Sequence, residues 1–356
     1  MTLGSLAASL PKVHLHCHLE GSLRGSTFVE LAEKHGVPLR YRRADAIGGA
    51  AFTDEPSEPV DRSDPYRFKD FDEFLLIFAS VSRSLQEPED YARLAREFVE
   101  DALEQRVIYG ELFVSPSVWT FFNPELDVRS TIEAIVGELR AARPSATFKL
   151  LPDLTRNFGA DNAMKTVRAM AGMMDLDVIG ISLGGDEARF PAKFFVDAFA
   201  YARAHGLHCV AHAGETDGPA SVLDAIELLH AQRIGHGIRA LEDPGIVDLL
   251  AARGIPLEIC PTSNHLTGAG LPDYPHPYLD FDCRGCIVTI DCDDPALFHT
   301  SIEREYAIVE GIAGPAGLER YVRNAVNASF AAEHEKRAME AQLTGALAEL
   351  RVAPRS

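Results

Sequence analysis

The feature that most limits what this chain can fold into is an alternation: short apolar stretches and one-sided helical stretches follow each other eight times. An opening strand at 11–21 leads to a helix over about 27–35, where Thr27 and Glu30 have capping-box spacing and Gly36 and Pro38 end the run. Further strands are expected at 107–114, 148–154, 178–183, 207–213, 233–236, 256–260 and 286–291. Helical periodicity lies between them, as with Ile132, Ile135, Val136 and Leu139. Apolar strands separated by amphipathic helices make a parallel sheet covered on both faces. Eight such units fit an α/β chain closed into a (β/α)8 barrel of the TIM type, in a single domain spanning 1–356. A doubly wound open sheet is the alternative, but no Gly-x-Gly-x-x-Gly follows the first strand. Residues 41–65, polar and rich in glycine and proline, are expected to form a mobile surface excursion. Phe71, Phe74, Leu75 and Phe78 mark a helix facing the core, with part of its stripe expected at a substrate mouth. Residues 314–356 are expected to be terminal helices.

A barrel carries its chemistry where strands end and loops begin. Here the first strand ends in His16-Cys17-His18, the fourth in Gly184-Gly185-Asp186-Glu187 and the fifth in His212-Ala213-Gly214-Glu215. The sixth ends in Gly235-His236-Gly237, the seventh in Cys260-Pro261-Thr262-Ser263-Asn264 and the eighth in Asp291-Cys292-Asp293-Asp294-Pro295. Each fragment alone is ordinary: a lone histidine is usually structural, and Asp-Asp-Pro usually caps a helix. Their recurrence on one rim favours a site. Period-two alternation puts Val13, Leu15, Cys17 and Leu19 on one face of the opening strand and His14, His16, His18 and Glu20 on the other. His14 is read as structural. His16, His18, His212 and Asp293 offer three imidazoles and a carboxylate, a set that suits one zinc ion per chain with a position left for water. Glu215 is the candidate to hold and give a proton, and His236 to orient the attacking water and take its proton.

With 53 acidic against 34 basic residues, the formal charge is −19, a poor match for nucleic acid or an anionic membrane. No apolar run approaches the roughly 20 residues that span a bilayer. No basic region precedes an apolar stretch at the start, so a cytoplasmic protein is expected, with its six cysteines reduced.

Pro11-Lys12-Val13-x-Leu15-His16-x-His18-Leu19-Glu20-Gly21, Gly184-Gly185-Asp186-Glu187, His212-Ala213-Gly214-Glu215, Gly235-His236-Gly237, Cys260-Pro261-x-Ser263 and Asp293-Asp294-Pro295, in this order, resemble the adenosine deaminase branch of the amidohydrolase superfamily. The resemblance runs from about Pro11 to beyond Pro295. It implies a zinc-dependent barrel that hydrolyses the 6-amino group of an adenine-type purine to the 6-oxo purine and ammonia. By the same resemblance His16, His18, His212 and Asp293 bind the zinc, Glu215 protonates the purine N1 and His236 assists the water. Asp294 meets N7, and the Gly185 N–H meets N3. Glu20 stands where the adenosine-specific pattern has aspartate, as in relatives that act on free adenine. Ser263-Asn264-His265-Leu266-Thr267-Gly268-Ala269 looks closer to the nucleoside enzymes. Adenosine or a 5′-modified adenosine is the leading expectation for the substrate, with free adenine the alternative.

Three rivals are weaker. A cytidine-type zinc deaminase needs His-x-Glu followed by Pro-Cys-x-x-Cys; His18-Leu19-Glu20 and Cys283-Arg284-Gly285-Cys286 exist, but Asp282 precedes Cys283. A two-metal hydrolase with a bridging modified lysine finds no lysine at the end of the fourth strand. A barrel that has lost activity would lack a ligand, Glu215 or His236, and none is missing.

Overall fold

A computed structural model describes residues 6–43, 52–56, 60–69, 71–269 and 276–352. The first strand, β1 (Lys12–His18), is followed by a short antiparallel pair outside the main sheet, β2 (Tyr41–Arg43) and β3 (Phe52–Pro56). The main sheet continues with β4 (Val107–Val114), β5 (Thr147–Thr155), β6 (Gly180–Gly184), β7 (His208–Ala213), β8 (Arg233–His236), β9 (Leu257–Ile259) and β10 (Val288–Ile290). Its eight strands are parallel, in the order β1-β4-β5-β6-β7-β8-β9-β10. The ring closes just past β10, where the His18 N–H donates to the Asp293 carbonyl at 2.8 Å and the Asp293 N–H to the His16 carbonyl at 3.1 Å. The fold is the (β/α)8 barrel that the alternation predicts.

Caps set several helix starts, with Asp127, Asp243 and Ser301 accepting from the first turns that follow them. The predicted capping box at Thr27 and Glu30 does not form. The helix is Gly25–His35, its N-cap is Arg24, and no side chain caps it. The Thr27 hydroxyl instead donates to Glu97 at 2.8 Å, and Glu30 pairs with Arg93 at 2.8 Å. The first turn lies against helix Pro88–Glu104, and those tertiary partners outcompete the local cap. The expected excursion at 41–65 falls partly outside the described residues, at 44–51 and 57–59; its described part contains β2 and β3. In helix Phe71–Ser84, Phe74 stacks on Phe298 in the core and Leu75 is exposed. Helix Ile302–Ala328 kinks at Gly314, immediately before Pro315, and helix Glu333–Val352 follows.

β1 departs from strict alternation. Its pairing with β4 slips between His14 and Cys17. The neighbouring N–H groups of Leu15 and His16 both donate to Asp291 Oδ1, at 2.6 and 3.1 Å. Val13 and Leu15 pack with Tyr109 and Ala325, while Cys17 and Leu19 belong to the main core. His14, expected beside His16 and His18, instead lines a cavity of about 270 Å³ with Phe98 and Ala102 of helix Pro88–Glu104. One extra residue in a strand reverses the facing of everything after it, and this slip separates His14 from the other two imidazoles.

The sheet encloses a buried ion cluster. The Arg233 guanidinium pairs with Glu111 at 2.6 Å and with Glu258, and it lies 4.0 Å from the Phe330 ring centroid. Removing the cation strands two buried carboxylates. Arg233→Met is therefore expected to cost about 3–5 kcal/mol of stability, read from urea unfolding. A loss below about 1 kcal/mol, the scale of an exposed pair, would show that the cluster contributes little.

Candidate active site

Three strand ends bring one donor set together. His16 and His18 come from β1, His212 from β7 and Asp293 from the turn after β10, with their ligand atoms all within 4.8 Å of one another. Asp293 Oδ1 lies 3.2 Å from His16 Nε2 and 3.3 Å from His18 Nε2, and the Nε2 atoms of His18 and His212 are 3.2 Å apart. The outer ring nitrogens are held from behind. His16 Nδ1 meets Glu258 Oε2 at 2.9 Å, and His212 Nδ1 meets the Leu183 carbonyl at 3.2 Å. With those N–H groups donating outward, the inner nitrogens of His16 and His212 turn lone pairs toward the other ligand atoms. Lone pairs at this separation repel unless a cation lies between them. Tetrahedral bonds of about 2.0–2.1 Å put ligand atoms roughly 3.3 Å apart, close to the spacings here. The residues therefore fit a divalent metal. Burial pushes His18 down to about 4 and His212 well below its usual value, so both stay neutral as ligands must be. At His16 burial is opposed by hydrogen bonds to Asp293 and Glu258, which lift the ring to about 10. A metal competes for that proton, so metal affinity should weaken in acid.

Asp293 and His236 both sit at positive φ, 66° and 60°. Non-glycine residues seldom adopt this conformation, which costs on the order of 1–3 kcal/mol and clusters at functional sites. Asp293 Oδ2 accepts from the Ser263 hydroxyl at 2.6 Å and lies 3.9 Å from His236 Nε2. Glu215 Oε2 lies 3.8 Å from the same nitrogen. The loop carrying Glu215 is fixed by Glu187, whose carboxylate accepts the N–H groups of Gly214, Glu215, Thr216 and Asp217. Burial pushes the Glu215 carboxyl up to about 8, with Asp293 and Glu187 adding to the shift. Burial pushes His236 down to about 3, leaving a neutral ring.

The remaining predicted residues, Glu20, Gly185 and Asp294, follow the ends of β1, β6 and β10. Glu20 Oε1 accepts from the Ser115 N–H at 2.8 Å and the Trp119 indole N–H at 2.6 Å, leaving Oε2 buried without a partner. Asp294 Oδ1 is also buried and unpartnered, and burial next to Asp293 holds its carboxyl well above the usual range. A Cβ on Gly21 would stand 2.0 Å from that oxygen, so only glycine fits there. Gly185 has φ +98°, and a Cβ on it would stand 2.4 Å from Asn157 Oδ1.

A family model described as adenosine deaminase matches residues 11–345. The chain belongs to the adenosine deaminase family. Its curated relatives include an adenine deaminase of Rhizobium rhizogenes, 33% identical over 95% of this chain and 100% of that protein. An aminodeoxyfutalosine deaminase of Streptomyces avermitilis is 34% identical over 92% of this chain and 88% of that protein. Among solved structures, the adenine deaminase of Arthrobacter aurescens superposes with a TM-score of 0.84 at 25% identity, covering 95% of this chain and 99% of that one. An amidohydrolase of Burkholderia ambifaria with bound Zn gives 0.83 at 26% identity, covering 97% and 92%. As a member of this family of metal-dependent amidohydrolases, the chain is a hydrolase that deaminates adenine-type purines.

Several residues built into this deaminase site were not singled out from the sequence. Glu258 holds His16 and Asn264 meets His236 Nδ1 at 3.0 Å, while Glu187 and Ser263 stood in motifs without roles. Trp119 holds Glu20. Asp153, beside Gly184, has a buried Oδ1 without a partner, and burial pushes its carboxyl up to about 7. One signal was readable: Glu111, Asp153, Arg233 and Glu258 are charges inside otherwise apolar strands, and burial there demands partners. The Cys283-x-x-Cys286 pair takes no part in the metal cluster, and both thiols are free. Among the described residues no helix is long and apolar enough to cross a membrane.

Proposed function

We propose that His16, His18, His212 and Asp293 hold one zinc ion per chain, and that Glu215 and His236 act on the substrate beside it. The supporting observation is the convergence of four ligand atoms within 4.8 Å, with Glu215 and His236 facing each other at 3.8 Å on the same rim. When bound, the metal acts as a Lewis acid that makes water nucleophilic near neutral pH. The chain's own residues position the purine and move its protons. Neutral Asp294 donates to N7, and the Gly185 N–H donates to N3. Glu215, protonated at neutral pH, gives its proton to N1, which makes C6 electrophilic. His236 faces the attacking oxygen. The whole chain, 1–356, acts as one catalytic domain in the cytoplasm.

Free adenine is the substrate this geometry favours. Glu20 reaches one methylene further than aspartate and is braced by the buried Trp119, which leaves its other oxygen buried without a partner. That oxygen can accept the N9–H, which only the free base carries. The nucleoside-like segment at 263–269 keeps adenosine as the second reading. Purified metal-replete protein should be assayed with adenine, adenosine and a 5′-extended adenosine, with and without chelator. No turnover of any of the three would defeat the assignment. Glu20→Asp is expected to shift relative kcat/KM from adenine toward adenosine by more than about tenfold with metal content unchanged. Equal ratios before and after would show that Glu20 does not read the N9 side.

A further inference from the structure

We infer that His276 and Asn264 are positioning residues that fix which nitrogen of His236 carries its hydrogen. His276 Nε2 lies 3.1 Å from Asn264 Oδ1, and Asn264 Nδ2 lies 3.0 Å from His236 Nδ1. An amide N–H must meet a lone pair, so Nδ1 of His236 is bare and Nε2 holds the hydrogen. The amide stands this way round because its oxygen meets a donor, the His276 Nε2–H. The reverse arrangement would place a hydrogen on His276 Nδ1, which is buried with no partner. An orphaned buried N–H is rarer than an unsatisfied acceptor. At the other end, His236 Nε2 lies 3.9 Å from Asp293 Oδ2, a carboxylate oxygen that can only accept. All three observations select the same arrangement.

The inference rests on the assignment of His236 to the attacking oxygen, and it changes what His236 does there. The ring meets that oxygen as a hydrogen-bond donor, and its one lone pair, on Nδ1, faces Asn264 rather than the water. His276 and Asn264 touch no reacting atom. They act through His236, as Glu258 acts through His16.

The test is ¹⁵N NMR of histidine-labelled protein, purified with its metal, with His236 assigned by comparison with His236→Asn. The expected spectrum shows a bare Nδ1 and a protonated Nε2. Two near-isosteric replacements then separate hydrogen-bond direction from packing. Glutamine at 276 still offers an N–H to Asn264 Oδ1. Glutamate offers only oxygen, turns the amide round and sends the hydrogen to His236 Nδ1. His276→Gln is expected to keep the tautomer with kcat within about fivefold, and His276→Glu to flip it and lower kcat by about 100-fold at little-changed KM. Asn264→Asp, which also only accepts, should flip the tautomer in the same way should His276→Glu fail to fold. A protonated Nδ1 in the unaltered protein, or equal losses for His276→Gln and His276→Glu, would overturn the inference. An Nε2–H tautomer in a protein that turns over no purine would count instead against the functional assignment.

Discussion

Asp293→Ala is expected to give a folded protein that loses zinc to a chelator which leaves the unaltered protein loaded, and that shows no measurable deamination. Asp293 provides the set's one anion, and its Oδ1 lies within 3.3 Å of two imidazole nitrogens. Without it three neutral rings remain; three imidazoles can still hold zinc, but the anion that offsets part of the ion's charge in a buried site is gone and affinity falls. Alanine also sits less easily than aspartate at φ 66°, so part of any loss could come from the backbone. Asp293→Asn separates the two effects, because asparagine tolerates that conformation while removing the charge. Metal analysis, circular dichroism and turnover should be measured on both. If Asp293→Ala holds its zinc against the same chelator as well as the unaltered protein does, Asp293 is not a ligand.

Glu215→Gln is expected to keep its zinc and lose about 10²–10⁴-fold in kcat, the range for a missing general acid. The amide is the same size and can still accept the hydrogen bonds of a carboxyl, but it has no proton to give. The pH profile carries a second expectation. The carboxyl is raised to about 8 by burial first and by Asp293 and Glu187 second, so it is protonated below that value and loses its proton above it. Activity that needs the acid must fall as pH rises through this region. A cation on Asp293 removes part of that residue's repulsion, which puts the limb at or below about 8. The limb should vanish in Glu215→Gln. Near-normal turnover, or an unchanged alkaline limb in the variant, would take Glu215 out of the reaction.

How much of this was legible in the chain depends on the kind of interaction. The barrel was readable because buried parallel strands must be apolar and their covering helices one-sided, and both patterns are local. The convergence of His16, His18, His212 and Asp293, with Glu215 and His236 beside them, was readable because barrel geometry confines chemistry to strand ends; Glu20, Gly185 and Asp294 were picked out by the family resemblance. What failed depended on partners distant in sequence. Thr27 and Glu30 have the spacing of a cap, but Glu97 and Arg93 take both side chains. His14 obeys the period of its strand in sequence, but the two N–H groups captured by Asp291 slip the register. Nothing local to Trp119 in the sequence indicates that its N–H holds Glu20.

The place where the barrel ring closes has a bearing on how the protein is made. His16 and Asp293 are 277 residues apart in the chain, and they meet at the junction of the first and last barrel segments. The four-ligand set is complete only once the segment carrying Asp293 has been made and has met β1. Metal uptake then becomes a late step of folding, after the first and last barrel segments have met, and the bound ion a clasp across the seam. Stripping the metal should loosen that junction before any other, with amide exchange quickening first at residues 16–18 and 291–293.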